Sequence, residues 1–285
     1  MPLTRRQTLE ELTKLGHRPR KVLGQNYLID GNIVAKSLAL AEVESGDRIL
    51  EVGPGLGTLS RSLLDEGARV WAVEFDPEMV RYLEKEIVPQ SAGRFHLMAG
   101  DAVRDPRGSL PVLEASQGFK VVANLPYAIS TPWMDAVLQA PLPTHMVLML
   151  QRETADRFSA GPGSKKFGAI SIVLQSAFEV RKGHPVPRSC FHPAPEVDSY
   201  LLNLRRKSDP FMFGAETRQV MRSLFQHRRK QLGALVKKVD LDAARSWLAA
   251  IEKMGHDPRT RPEDLPITAW QQLEHFVAES TADSA

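Results

Sequence analysis

Arg48-Ile49-Leu50-Glu51-Val52-Gly53-Pro54-Gly55-Leu56-Gly57 is the stretch on which the fold of this chain turns. Arg48–Val52 reads as a buried strand, the glycines as a tight turn, and Thr58–Asp65 as the helix that follows. Glycines at such a turn let the backbone come close to a ligand. A dinucleotide-binding turn is spaced G-x-G-x-x-G and sets pyrophosphate on the helix N-terminus. Here the spacing is G-x-G-x-G, the acid Glu51 stands two positions ahead of it, and nothing basic lies in the turn. A pyrophosphate is not obviously wanted, and a purely structural turn would carry the same glycines.

Downstream the alternation continues. Arg69–Glu74 is a second strand, and Asp76-Pro77 opens the helix Glu78–Ile87 with an N-cap aspartate and a proline at the first helical position. Phe95–Ala99, Lys120–Asn124 and Met146–Leu150 supply three more strands, with a helix over Pro132–Gln139. Strands separated by helices predict βαβ units and a mostly parallel sheet with its carboxyl ends along one edge, a Rossmann-like α/β fold. Gly168–Phe178 reads as helix. Glu179–Arg181 and Val197–Leu204 read as strands that close the sheet edge as an antiparallel pair. Beyond Lys207–Pro210 the period is helical, in Thr217–Lys238, Leu241–Ile251 and Thr268–Ala278. We therefore expect two domains, residues 1–206 with a basic extension over 1–20, and a small helical domain over 207–285.

The predicted carboxyl edge collects the chemistry. Glu74 ends the second strand, twenty-one residues after Gly53, where an acid accepts hydrogen bonds from ribose hydroxyls. Asp101-Ala102 follows the third strand, although an acid in that position is often only a helix cap. Asn124-Leu125-Pro126-Tyr127 follows the fourth, and presents an amide, a proline-stiffened backbone and an aromatic ring together. Asparagine and proline are also frequent turn residues, so a plain turn remains open for the tetrapeptide taken alone. Read jointly, the set describes a pocket for a nucleoside without phosphates, which suits S-adenosylmethionine better than NAD, beside a site for a flat, amino-bearing base such as adenine. The histidines show no metal-ligand spacing, and no metal is expected.

Composition narrows the partners. The chain has 285 residues, 42% apolar and 25% charged, with a net charge of +3. Its apolar runs are too short for a membrane span, and residues 1–20 lack the features of a secretory signal. The single cysteine, Cys190, forms no intramolecular disulfide and points to a reducing compartment, most simply the cytoplasm. From Arg181 to Asp240 thirteen Lys/Arg face five Asp/Glu, and the first twenty-one residues carry six Lys/Arg against two Glu. Two basic zones suggest a polyanion partner, though a solvated surface has a similar composition.

Together these residues resemble the ribosomal RNA adenine dimethyltransferases, the bacterial family whose loss confers kasugamycin resistance. The resemblance runs from about Pro19 to Arg206 and more weakly through the helical tail. It rests on Lys21-Val22-Leu23-Gly24-Gln25-Asn26-Tyr27-Leu28, Glu51–Gly57, Glu74, Asp101, Asn124–Tyr127, Gln151-Arg152-Glu153 and Phe191-His192-Pro193-Ala194-Pro195-Glu196-Val197-Asp198-Ser199. Departures are small: Tyr27 stands where Phe is common, and His192 where Thr or Ser is common.

The resemblance implies dimethylation of N6 of two adjacent adenosines near the 3′ end of 16S ribosomal RNA, within immature 30S subunits. It carries cofactor contacts onto Asn26, Leu28, Gly53, Glu74, Asp101 and Asn124, to which their neighbours Gly55 and Ala102 are added. Asn124 and a backbone carbonyl near Leu125 or Pro126 are expected to orient the target amine, with Tyr127 stacking on one face of the base and Phe191 on the other. Arg222, Arg228, Arg229 and Lys230, within the basic segment Arg218–Lys238, are expected to hold RNA phosphates. A monomer is expected. Three other readings stay open: a large-subunit RNA methylase, a non-catalytic RNA-binding member, and a remote NAD-dependent dehydrogenase.

Overall fold

A seven-stranded sheet carries the first part of the chain. The computed structural model describes residues 2–139, 141–239 and 241–282. In chain order the strands are β1 (Tyr27–Leu28), β2 (Arg48–Val52), β3 (Arg69–Glu74), β4 (Phe95–Ala99), β5 (Lys120–Asn124), β6 (His145–Gln151), β7 (Phe178–Val186), β8 (Phe191–His192) and β9 (Ser199–Arg206). The large sheet runs β4-β3-β2-β5-β6-β9-β7. Its strands β2 to β6 are parallel, and β9 turns antiparallel against β6, from His145 opposite Arg205 to Gln151 opposite Ser199. Order reverses at β2, with β3 on one side and β5 on the other, so ligands are expected at the carboxyl ends of these strands.

The helices are α1 (Arg5–Leu15), α2 (Gly31–Leu40), α3 (Thr58–Asp65), α4 (Pro77–Glu86), α5 (Val112–Ser116), α6 (Ser130–Val137), α7 (Arg152–Phe158), α8 (Ala169–Ala177), α9 (Ala215–Gln226), α10 (Leu232–Val236), α11 (Asp242–Lys253) and α12 (Ile267–Ala282). Local chemistry sets their starts. Asp76 accepts from the Glu78 N–H with Pro77 at the first position of α4, and Thr4 and Gln7 form a reciprocal capping box at α1. Ile49, Val70, Val122 and Val147, from four neighbouring strands, are fully buried in one core. Burial on both faces explains why these strands read as largely apolar runs.

The chain divides into two compact units, one of residues 1–155 and 180–206, the other of 156–179 and 207–285. Residues 156–179 thus depart from the expected boundary. The reason is the apolar face of α8, which packs on α9 and α12, while the Phe167 ring meets Phe225 edge-on at 6.3 Å. Within this second unit the Trp247 and Trp270 rings lie 5.2 Å apart, and the Trp247 indole N–H donates to the Ala269 carbonyl at 2.8 Å.

The single helix expected over Thr217–Lys238 is broken between α9 and α10. Its break falls at His227-Arg228-Arg229-Lys230, where a continued helix would crowd like charges into one turn. Past the break, the Leu232 and Gly233 N–H groups bond instead to the carbonyls of Thr260 and Pro258, each at 2.9 Å. Among the described residues no helix is long and apolar enough to cross a membrane, and no cluster of His, Cys, Asp or Glu is placed to hold a metal ion.

Candidate methyl-donor and adenine site

Four strand ends, those of β2, β3, β4 and β5, and one N-terminal segment enclose a cavity of about 230 Å³. Asn26, Leu28, Gly53, Gly55, Glu74, Asp101, Ala102 and Asn124 all line it, as do Leu125, Pro126 and Tyr127. Gly53 and Gly55 have left-handed φ values of +68° and +56°. A Cβ on Gly53 would lie 3.1 Å from Pro126 Cγ, and one on Gly55 would lie 3.0 Å from Tyr27 Cε1. Glycine is therefore required twice over, by conformation and by close approach of the adenine-side and N-terminal segments.

The acids differ in what they do. Glu74 spans the turn: its Oε2 accepts from the Gly55 N–H at 3.0 Å and its Oε1 from the Asp76 N–H at 2.9 Å. Each oxygen keeps a second acceptor site. Burial raises the Glu74 carboxyl above its ordinary range, partly opposed by those backbone bonds. Glu51 is fully buried, accepts from the Ser60 hydroxyl at 2.6 Å, and is pushed up to about 8, chiefly by desolvation. Asp101 caps its own turn, its Oδ1 accepting from the Val103 N–H at 2.8 Å.

Glu51, Glu74, Asp76 and Asp101 line the cavity, and no Lys or Arg does so among the described residues. That donor set fits S-adenosylmethionine, a cationic sulfonium nucleoside with ribose hydroxyls and no phosphate. It does not fit NAD, whose pyrophosphate would find acids and no Lys or Arg among the described lining residues. Phe75, next to Glu74, is 61% exposed and lines the same cavity. Sequence reasoning passed over it, although an exposed aromatic after the acid at a strand end was the available signal.

At the other wall Asn124 closes β5 with its backbone opposite Met149. Its Nδ2 donates to the Asn26 carbonyl at 3.0 Å, which leaves Oδ1 as the acceptor end of the amide. A 3₁₀ turn, Tyr127–Ile129, then leads into α6. The Tyr127 hydroxyl meets the Ser199 hydroxyl at 2.6 Å, which holds the half-buried ring on the cavity wall.

Phe191 is placed differently from expectation. It is 3% exposed, belongs to the core, and is absent from the described cavity lining. Its backbone pairs with Leu28 in the short β1–β8 ladder, so it backs the wall and offers no open ring face to a base. In the second unit, Arg222, Arg229 and Lys230 are exposed. Arg228 is half-buried; it donates to the Lys165 carbonyl and sits 3.5 Å from Glu263. Arg218, expected to face phosphate, is instead 5% exposed with its Nε donating to the Phe213 carbonyl at 3.0 Å. It shares the buried face of α9 with Val220, Met221 and Leu224.

A sheet reversed at β2, a glycine turn and a cavity lined by acids, with no Lys or Arg among its described lining, define a class I methyltransferase of the S-adenosylmethionine-dependent type. Comparison with known proteins specifies it further. The family model for ribosomal RNA adenine dimethylase matches residues 16–277, and the chain belongs to that family. It is 54% identical over 274 residues to the ribosomal RNA small subunit methyltransferase A of Opitutus terrae, covering 96% of this chain and 99% of that protein. The protein of the same name from Lactobacillus helveticus is 37% identical, covering 91% and 92%. Among solved structures, a dimethyladenosine transferase from Plasmodium falciparum superposes with a TM-score of 0.73 at 25% identity, covering 90% of this chain and 98% of that one. The 23S rRNA methyltransferase ErmE shares the fold, with a TM-score of 0.63 at 24% identity over 89% and 100% of the two chains.

Proposed function

We propose that this chain dimethylates N6 of two adjacent adenosines near the 3′ end of 16S ribosomal RNA in immature 30S subunits. It acts as a cytoplasmic monomer and serves small-subunit biogenesis. The observation that carries this reading is the pairing of an acid-lined nucleoside cavity with an Asn124 amide whose acceptor end is set by the Asn26 carbonyl.

When bound, S-adenosylmethionine supplies a methyl made electrophilic by its sulfonium. Glu74 and Asp101 would hold its ribose and adenine, with Asn26, Leu28, Gly53, Gly55 and Ala102 shaping the remainder of the wall. The protein's remaining task is alignment of the attacking nitrogen. Adenine N6 is a weak nucleophile because its lone pair is delocalised into the ring. Two acceptors on its hydrogens draw it toward tetrahedral geometry and localise that lone pair.

Asn124 Oδ1 is one acceptor. Of the two backbone candidates, the Pro126 carbonyl already accepts from the Ile129 N–H at 3.1 Å and the Ser130 hydroxyl at 3.3 Å. The Leu125 carbonyl accepts nothing among the described residues and is the better second acceptor. No strong base is required, since the nitrogen acidifies once it becomes cationic. Tyr127 stacks on the extruded base, a contact worth about 1–3 kcal/mol, and Phe191 supports the wall from behind. Arg222, Arg229 and Lys230 hold RNA phosphates, with a smaller share from Arg228.

The relatives named for the small subunit favour 16S over 23S RNA as substrate. Methyl transfer from labelled S-adenosylmethionine to immature small subunits and to large subunits, run side by side, tests this. Incorporation confined to the small subunit supports the reading, and incorporation confined to the large subunit contradicts it.

A further inference from the structure

The N-terminal segment that walls the cavity is held by a polar network centred on the buried His17. Its imidazole meets the Glu78 carboxylate through Nδ1. Nε2 lies 3.0 Å from Gln25 Oε1 and 3.1 Å from the Tyr27 hydroxyl. Gln25 is oriented independently: its Nε2 donates to Asp76 Oδ2 at 2.6 Å, and a carboxylate only accepts. Gln25 Oε1 is therefore the acceptor end, and it also takes the Arg20 N–H at 2.8 Å. The two ring nitrogens of His17 thus face different segments, Nδ1 the start of α4 and Nε2 the side chains of Gln25 and Tyr27. Arg20 adds a second tie from the same segment, its guanidinium 3.2 Å from Glu78 Oε1 and 4.0 Å from Asp76 Oδ1.

These bonds lead straight into the site. Gln25 and Tyr27 flank Asn26, whose carbonyl sets the Asn124 amide. Asp76, on the opposite end of the network, donates its N–H to Glu74. Tyr27 also packs its ring under Gly55 and directs its hydroxyl to Met79 Sδ at 3.4 Å. We propose that His17 is a positioning residue: it clamps residues 20–28 onto the β3–α4 turn, and so builds both the cofactor-side wall and the orientation of Asn124. His17 is not itself among the residues that line the cavity. It acts through Gln25 and Tyr27. The proposal rests on the reading that this cavity takes S-adenosylmethionine.

The test combines amide hydrogen exchange of the ligand-free chain with calorimetric titration of S-adenosylhomocysteine, the demethylated product, as probe. Two variants are used, His17→Ala and the more conservative Glu78→Gln, whose position on the first turn of α4 is partly exposed. Expected are at least tenfold faster exchange over residues 20–28, unchanged exchange in β2 and β3, and an affinity at least tenfold weaker in His17→Ala and several-fold weaker in Glu78→Gln. If His17→Ala does not fold, Glu78→Gln alone decides. Wild-type exchange over 20–28 in the folded variants, or faster exchange spread evenly through the sheet, overturns the clamp. A wild-type chain that binds no probe refutes the cofactor reading instead, and the exchange data still judge the clamp.

Discussion

The side-chain amide of Asn124 donates to the backbone carbonyl of Asn26 at 3.0 Å, joining the end of β5 to the N-terminal wall of the cavity. One bond thereby fixes which end of the amide can accept a hydrogen bond from adenine. Asn124→Ala should lower methyl transfer to immature small subunits by about a hundredfold or more, the scale of a lost alignment. Asn124→Asp keeps the acceptor but loses the Nδ2 donor and sets a carboxylate against the Asn26 carbonyl, so it should recover only part of the rate. Single-turnover assays of both variants check this.

Gly55 should tolerate no side chain. Its φ of +56° already disfavours an L-residue by about 1–2 kcal/mol, and a Cβ would press on the Tyr27 ring at 3.0 Å. Gly55→Ala is expected to weaken S-adenosylmethionine binding about tenfold, read by calorimetry, with the melting temperature lowered as well.

Glu51 should make stability depend on pH. Burial lifts its carboxyl from the usual 4.5 to about 8, so the folded chain holds a proton that the unfolded chain has released. The associated stability is complete below pH 4.5 and is lost as pH rises through 8. Within that window the slope contributed is about 1.4 kcal/mol per pH unit. Glu51→Gln, of the same shape and always neutral, removes it. Urea unfolding of the ligand-free chains at several pH values should show the variant gaining on the wild type as pH rises. A constant difference would mean that Glu51 titrates normally.

Most of the central sheet was legible in the sequence. β2 to β5 match their expected bounds because each is largely apolar and is followed within two residues by Gly, Asp or Pro. Local signals also placed the site residues at strand ends, since a parallel sheet sends all of those ends to one edge. What escaped was long-range or masked by composition. β1 and β8 are two residues each and pair across more than 160 residues of chain, so neither carries a period to detect. His17 reads as an isolated histidine, and its partners Gln25, Tyr27 and Glu78 come together only in the fold. Arg218 belongs to the basic segment by composition, whereas its helical position puts it on the buried face of α9 with Val220 and Met221.

The basic turn between α9 and α10 should behave as an electrostatic grip. Replacing Arg229 or Lys230 by Gln is expected to reduce the salt dependence of RNA binding by about 0.7–0.9 in the log–log slope per contact removed. Arg228→Gln should reduce it less, because Glu263 and the Lys165 carbonyl already engage that side chain. Filter-binding isotherms between 50 and 300 mM salt, on the order used for such titrations, resolve these slopes.

The most direct test of the central claim is to map methylated nucleosides by mass spectrometry after incubating the protein with immature small subunits and S-adenosylmethionine. Two adjacent N6,N6-dimethyladenosines near the 3′ end of 16S RNA are predicted with the wild-type chain, and none with Asn124→Ala. Methylation at another base or in 23S RNA alone, or an equal yield from the variant, would contradict the account.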